Sequence, residues 1–284
     1  MVTSPHSSES AIDFSQGSAV PGAVGTVHIV GAGPGDPELL TVKAHRLLAE
    51  ADVVVFADSL VPRQLLKGVR PDTELVRTAD KTLEDIVPLM IDRARSRKKV
   101  VRLHDGDPCL YGALHEQMQA LAEAEIPFEV VPGISAFQAA AARLKVELTV
   151  PGLVQTIILT RISGRTQVPE AEELASLAAH QASLCLYLSA RHVTESQAKL
   201  MQHYPPETPV AVCFRLGWPD EKVWLARLDE IADVTARENL IRTTLYVISP
   251  ALKPLVDKEA AHEWRSRLYN PQHDHLFRPV GKRD

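Results

Sequence analysis

Three loops hold the residues of this sequence whose types and spacing could do chemistry. The first is Val30-Gly-Ala-Gly-Pro-Gly-Asp36, directly behind the apolar run Val27–Val30. Glycines at such a place let the main chain approach a ligand closely. The spacing suggests a dinucleotide fingerprint, but Asp36 stands where the third glycine belongs. Followed by Pro37, Asp36 reads as a helix N-cap, and a carboxylate there would repel a pyrophosphate. The loop therefore suits a ligand without phosphate, or a tight turn with no ligand. The second loop, Asp105-Gly-Asp-Pro-Cys-Leu-Tyr-Gly112, follows the run ending at Leu103. Its two acids could accept hydrogen bonds from an amino group or a ribose; Asp107, ahead of Pro108, could equally be a turn former. The third loop, Val131-Pro-Gly-Ile-Ser-Ala136, again ends an apolar run. Three such loops on one parallel sheet predict one crevice.

A second group of candidates is cationic. Arg161 and Arg165 flank Ile162-Ser163-Gly164, Arg191 and His192 follow the next apolar run, and Arg215 ends a third. Arginine pairs bidentately with carboxylates, on a ligand or in a surface ion pair. Asp58, behind Val53–Phe56, is a candidate base, or a cap for the turn that Ser59 and Pro62 share. His104 and His115 flank the Asp-Gly-Asp loop and read as hydrogen-bonded structural residues. His273 and His275 lack a third partner nearby, so no metal is assigned. Cys109, Cys185 and Cys213 lie far apart with no CxxC, which argues against a disulfide framework or zinc knuckle. They read as small buried hydrophobes in a reducing cytoplasm.

These residues need a frame to position them. A chain of 284 residues, 45% apolar, suggests about two domains. No apolar run approaches the ~18 residues of a membrane span. With 31 basic against 36 acidic residues, net −5, nothing favours nucleic acid as a partner. Short β-branched runs at 27–30, 53–56, 99–103 and 128–131 alternate with helical spacing at 37–50, 83–97 and 112–124. That pattern predicts a doubly wound, mainly parallel α/β domain over 25–150. Pro151-Gly152 marks the boundary. Over 151–252, strands are expected at 155–161, 183–188, 210–214, 223–226 and 245–248, with helices near 169–179, 193–202 and 229–238. Gly217-Trp-Pro-Asp220 separates two of those strands as in a long hairpin, so the second sheet should be mixed. The helix Gln138–Arg143, rich in alanine, reads as a close-packing surface. Residues 1–24, with no Lys or Arg before Lys43, read as a disordered leader and not as a targeting signal. Residues 253–284 read as an extension pinned by Trp264, Leu268, Tyr269 and Phe277.

Taken in order, VGAGPGDPELLTVKA, VVVFADSLV, HDGDPCLYGA and VVPGISAFQAAAA resemble the tetrapyrrole methyltransferases that use S-adenosylmethionine, over about residues 25–252. FADSLV, LTVPGLVQTIILTRISGRTQVP and GWPDEK are similar to the branch acting on precorrin-4 or cobalt-precorrin-4 in cobalamin biosynthesis, at ring carbon C-11. The resemblance implies two α/β domains with the active site in the cleft between them, usually in a homodimer; the residues themselves suggest the cytoplasm and no metal of the enzyme's own. It implies S-adenosylmethionine contacts at Pro34, at Asp105, Gly106 and Asp107 (Asp105 replacing the usual glycine), and at Leu110, Ser135, Ala136, Leu188, Gly217 and Ala251. The catalytic acid proposed in related uroporphyrinogen methyltransferases maps to Asp58 with one residue inserted. The lysine proposed there as proton donor has no counterpart, since Arg77-Thr78-Ala79 occupies that stretch. Arg161, Arg165, Arg191 and Arg215 would face the carboxylates of the macrocycle. Methylation at another ring carbon, nicotinamide-dependent oxidoreduction and tetrapyrrole carriage without chemistry remain as competing readings.

Overall fold

The computed structural model describes residues 24–257 and positions 266, 270 and 272. The leader, the pinning aromatics and the pair His273/His275 lie outside the described residues. By packing, the chain divides into two units. Among the described residues, one comprises those up to Gly31 together with Thr41–Gly133; the other comprises Ala32–Leu40 and those from Ile134 onward. The second unit thus begins well before Pro151, because the alanine-rich helix packs onto the second sheet.

In the first unit, β1 (Val27–Gly31), β2 (Val53–Phe56), β3 (Glu74–Arg77), β4 (Val100–His104) and β5 (Phe128–Val131) form a sheet in the order β3-β2-β4-β1-β5. Every pairing is parallel. Alternate residues face opposite sides. Val27, Ile29, Val53, Val55 and Val100 pack against Ile86, Met90 and Ala94 of α2 (Leu83–Arg95) and Leu121 of α3 (Leu114–Glu123). Positions 86, 90 and 94 form an i, i+4, i+8 stripe, the pattern that buries one helical face. Helix α1 (Val42–Glu50) buries Ala44, Leu47 and Leu48. It starts later than its spacing suggests. Pro37–Leu39 is a separate 3-10 turn, and Thr41 caps α1 by accepting from Ala44 N–H at 3.1 Å.

Strand β3 escapes the sequence pattern because it is a half-exposed edge strand with only two apolar residues. Arg93 of α2 holds it with a two-pronged pair to Glu74, both contacts at 2.8 Å. The carboxylate's pKa is lowered by those bonds.

In the second unit, β6 (Ile157–Arg161), β7 (Ser183–Tyr187), β8 (Pro209–Phe214), β9 (Lys222–Arg227) and β10 (Thr244–Ile248) are ordered β6-β7-β10-β8-β9. The pair β6/β7 is parallel and the other three pairs are antiparallel, so the sheet is mixed and β8/β9 is a hairpin. One face carries α5 (Leu174–Ala178), α6 (Val193–Leu200) and α7 (Ile231–Arg237) over Leu184, Leu186, Val210, Val212, Tyr246 and Ile248. The other face, with Cys185, Ala211, Cys213, Leu245 and Val247, is covered by α4 (Ala136–Leu144). The last helix among the described residues is α8 (Lys253–Val256). Cys185 and Cys213 are buried, and burial pushes both thiols up to about 12. Cys109 is exposed, contrary to its reading as a core residue. No helix among the described residues is long and apolar enough to cross a membrane.

Candidate functional site

In the first unit the C-terminal ends of β4, β1 and β5 lie side by side, and their backbones nearly touch. A Cβ on Gly31 would stand 2.5 Å from Gly133 N and 2.7 Å from Gly106 O; one on Gly133 would stand 2.2 Å from Gly106 O. These glycines serve the approach of loop to loop. Asp107 staples the same point. Its Oδ2 accepts from Gly133 N–H at 3.0 Å and its Oδ1 from Cys109 N–H at 2.8 Å. Each oxygen of this carboxylate thus accepts one backbone hydrogen bond and fixes the shape of the loop, with Gly106 at φ +60.

Asp105 has no such partner and retains solvent access. Protein packed around its carboxyl raises its pKa, opposed by its own backbone N–H and by Arg102. Arg102 belongs to a network that the apolar appearance of Val-Val-Arg-Leu-His concealed. It is 7% exposed, and its Nε donates to Gln117 Oε1 at 3.2 Å while Nη1 donates to Val55 O at 3.3 Å. The Gln117 amide donates to Gly112 O and Ala113 O, and lies 3.4 Å from His104 Nε2. Burial lowers His104 to about 4 and Arg102 to about 10. The network underpins the loop that carries Asp105–Leu110. The only sequence signal was a cation inside an apolar run; the structure buries all five positions of that strand. His115 is exposed.

Asp58 follows β2, the neighbour of β4, so its loop shares this edge. The residue is exposed, and Oδ1 accepts from Ala79 N–H at 3.3 Å. The carboxylate thus joins the loops after β2 and β3.

In the second unit, β6, β7 and β8 run in one direction, and their C-terminal ends form one edge. Arg161, Arg165, Arg191, Leu188, Arg215 and Gly217 all come to it. None of Arg161, Arg165 and Arg191 pairs with a carboxylate among the described residues; Arg161 Nε reaches only Ile162 O, at 3.5 Å. Arg215 is employed differently. Its Nη1 donates to Asp220 at 2.5 Å, and its guanidinium lies over the rings of Phe214 and Trp218.

Leu188 is 57% exposed and sits at φ +54, an apolar side chain held out in a conformation rare for it. Tyr187 beside it reaches α4. Its hydroxyl pairs with Ser135 Oγ at 2.9 Å and accepts from Phe137 N–H at 3.1 Å. The Ser135 hydroxyl therefore locks the helix start to the end of β7, and Gln138 Oε1 accepts Ser135 N–H. Pro34 joins the edge because Gly35 and Asp36 meet Gly217 and Trp218. Asp36 accepts from Glu38 N–H at 2.9 Å, which closes the short 3-10 turn against an anion.

Ala251 does not belong to this set. β10 runs against β7 and β8, so the turn after it, Pro250–Leu252, lies at the opposite edge. Ala251 is buried, and its N–H donates to Ser249 Oγ, itself 2.7 Å from Ser183 at the start of β7. At the edge with Leu188 and Gly217 stands the other end of β10, where Thr243 O accepts Arg215 N–H at 2.9 Å.

Each edge by itself fits a phosphate-free ligand. In the first unit Asp105 offers a carboxylate without a side-chain partner among the described residues, and Leu110 an apolar contact. In the second unit Asp36 closes its turn to phosphate, and Leu188 offers an apolar contact. Comparisons with known proteins give the family. Residues 26–232 match the family described as Tetrapyrrole (Corrin/Porphyrin) Methylases. The chain is 43% identical over 255 residues to a precorrin-4 C(11)-methyltransferase of Pseudomonas aeruginosa, covering 89% of this chain and 99% of that one. It is 42% identical over 247 residues to a cobalt-precorrin-4 C(11)-methyltransferase of Methanocaldococcus jannaschii, covering 84% and 95%. The X-ray structure of the cobalt precorrin-4 methyltransferase CbiF is similar with a TM-score of 0.78 at 42% identity, over 81% of this chain and 96% of that one. A uroporphyrin-III C-methyltransferase from Thermus thermophilus complexed with S-adenosylhomocysteine gives 0.69 at 30%, over 81% and 99%.

Proposed function

We propose that this chain, which belongs to the tetrapyrrole (corrin/porphyrin) methylase family, methylates C-11 of precorrin-4 or cobalt-precorrin-4 with S-adenosylmethionine, in cobalamin biosynthesis. The observation that carries the reading is the 43% identity, spanning nearly the whole of a relative of that name. Relatives named for the metal-free and for the cobalt-bound substrate stand at nearly equal identity, so the two substrates are tested side by side.

When bound, S-adenosylmethionine supplies a methyl group on a sulfonium, already activated for displacement. The chain's task is then mainly to place two partners, an effect large enough to carry most of the catalysis. Pro34, Asp105, Gly106, Leu110, Ser135, Ala136, Leu188 and Gly217 are the proposed contacts for the methyl donor, with Asp107 shaping the loop. Arg161, Arg165 and Arg191 are the proposed contacts for the ring carboxylates; as guanidiniums without carboxylate partners among the described residues, they can give two parallel hydrogen bonds each. Asp58 is the proposed base, with Oδ2 receiving the proton that the product framework releases. The protein is proposed to work as a homodimer in the cytoplasm, which light scattering and fractionation test.

The deciding experiment incubates the protein with precorrin-4 or its cobalt complex and methyl-labelled donor, then locates the label by NMR. Label at C-11 with matching S-adenosylhomocysteine is the expected result. Label at another carbon moves the target within the family, and no binding of S-adenosylhomocysteine at high micromolar concentration overturns the reading.

A further inference from the structure

The segment Phe214–Asp220 adopts an arrangement that is unfavourable taken by itself. Arg215 sits at φ +48, a conformation that L side chains seldom occupy. Arg215 Nε and Trp218 Nε1 are both buried with no acceptor among the described residues, and unpaired buried donors destabilise. What the segment gains is a stack. The Arg215 guanidinium lies 5.1 Å from the Phe214 ring centre and 4.9 Å from that of Trp218, and Asp220 anchors its far end. The stack presents the indole edge to Gly35. A Cβ on Gly35 would stand 2.7 Å from Trp218 Cδ1 and 3.0 Å from Nε1. Gly35 is at φ +142, and a Cβ on Gly217 would stand 2.7 Å from Asp36 N. Two glycine backbones thus meet, with the indole closing their side. Pro34, next to Gly35, is held in place by this arrangement.

We propose that Trp218 is a positioning residue for the methyl donor: by packing on Gly35 it fixes Pro34–Asp36 in the shape that receives S-adenosylmethionine, and Arg215 supports the indole. The inference rests on the methyltransferase reading. Strain retained beside a candidate ligand loop is the kind that function maintains.

The test titrates S-adenosylhomocysteine into the full-length wild type, Trp218→Ala and Trp218→Phe by calorimetry, with the thermal midpoint of each. Trp218→Ala should raise Kd about ten-fold or more, equivalent to ~1.4 kcal/mol, and Trp218→Phe less. Both should melt close to the wild type and keep its KM for the tetrapyrrole. The chain has three tryptophans, so Trp224→Phe with Trp264→Phe leaves Trp218 as the sole indole. Its emission should shift on titration with the calorimetric Kd. A folded Trp218 variant with wild-type affinity, or an emission that does not respond, overturns the proposal. Should Trp218→Ala fail to fold, Trp218→Phe and the emission decide it. Wild-type protein that does not bind S-adenosylhomocysteine overturns the methyltransferase reading itself, and this proposal with it.

Discussion

The two strand-end edges are built on opposite plans. In the first unit the edge is made of main chain: Gly31, Gly106 and Gly133 touch, and the carboxylate of Asp107 helps hold them. In the second unit the backbones of Gly35 and Gly217 also meet, but the rest of the edge is side chains, with Arg161, Arg165 and Arg191 left without carboxylate partners among the described residues and Leu188 held outward. A main-chain edge has one shape and suits a ligand that never varies. An edge of long cations adapts, and it suits a flexible ring of carboxylates. The two sets of groups should therefore fail differently: the touching glycines through folding and donor binding together, the unpaired arginines through macrocycle binding alone.

The severest break is expected from Gly133→Ala. Its Cβ would meet Gly106 O at 2.2 Å and Gly31 Cα at 2.8 Å, both backbone. Overpacking of this kind costs about 3 kcal/mol or more. A denaturant melt should show that loss along with vanished S-adenosylhomocysteine binding; a variant of native stability would contradict the touching backbones.

Acid should distinguish the edges next. His104 under the first edge falls from 6.5 to about 4 on folding. The unfolded chain then binds the proton more readily, so stability is full above pH 6.5 and declines as pH drops toward 4. At about 1.4 kcal/mol per pKa unit, the decline is at most about 3 kcal/mol. Asp105, whose pKa is raised by folding, pushes the opposite way. The difference between the pH–stability curves of the wild type and His104→Asn isolates the imidazole, and superimposable curves would refute its role.

Asp107→Ala removes two acceptors from backbone N–H groups. It should cost about 2 kcal/mol and weaken S-adenosylhomocysteine, measured by calorimetry, while leaving macrocycle binding in place. Smallest in stability is Arg161→Ala, within about 0.5 kcal/mol of the wild type as for most surface changes. It should nonetheless raise KM for the tetrapyrrole several-fold, more at low salt, with donor affinity unchanged. Equal effects of Asp107→Ala and Arg161→Ala on both ligands would erase the contrast between the edges.

Much of this was legible in the chain. Alternation of short apolar runs with helical stripes set out both α/β units, because burial has a period of two in a strand and 3.6 in a helix. The three glycine loops pointed to the family and GWPDEK to a branch of it, since such residue types are fixed by backbone conformation and close approach. Strand β3 was hidden because an edge strand needs few apolar residues, and Arg102 because its partner Gln117 is fifteen residues away.

Sequence by itself determined where the elements run, which loops carry glycine and acid, and how the family is recognised, all of which depend on neighbours within a few positions. Only tertiary structure decided which end of a strand faces which edge. Ala251 and Thr243 flank the same strand, yet the antiparallel pairing of β10 sends Ala251 away from Leu188 and Gly217 and brings Thr243 to them. Strand direction is fixed by hydrogen bonds to distant segments. In the same way, distant partners decided that Asp107 holds a loop, that the Ser135 hydroxyl meets Tyr187, and that Arg215 supports Trp218.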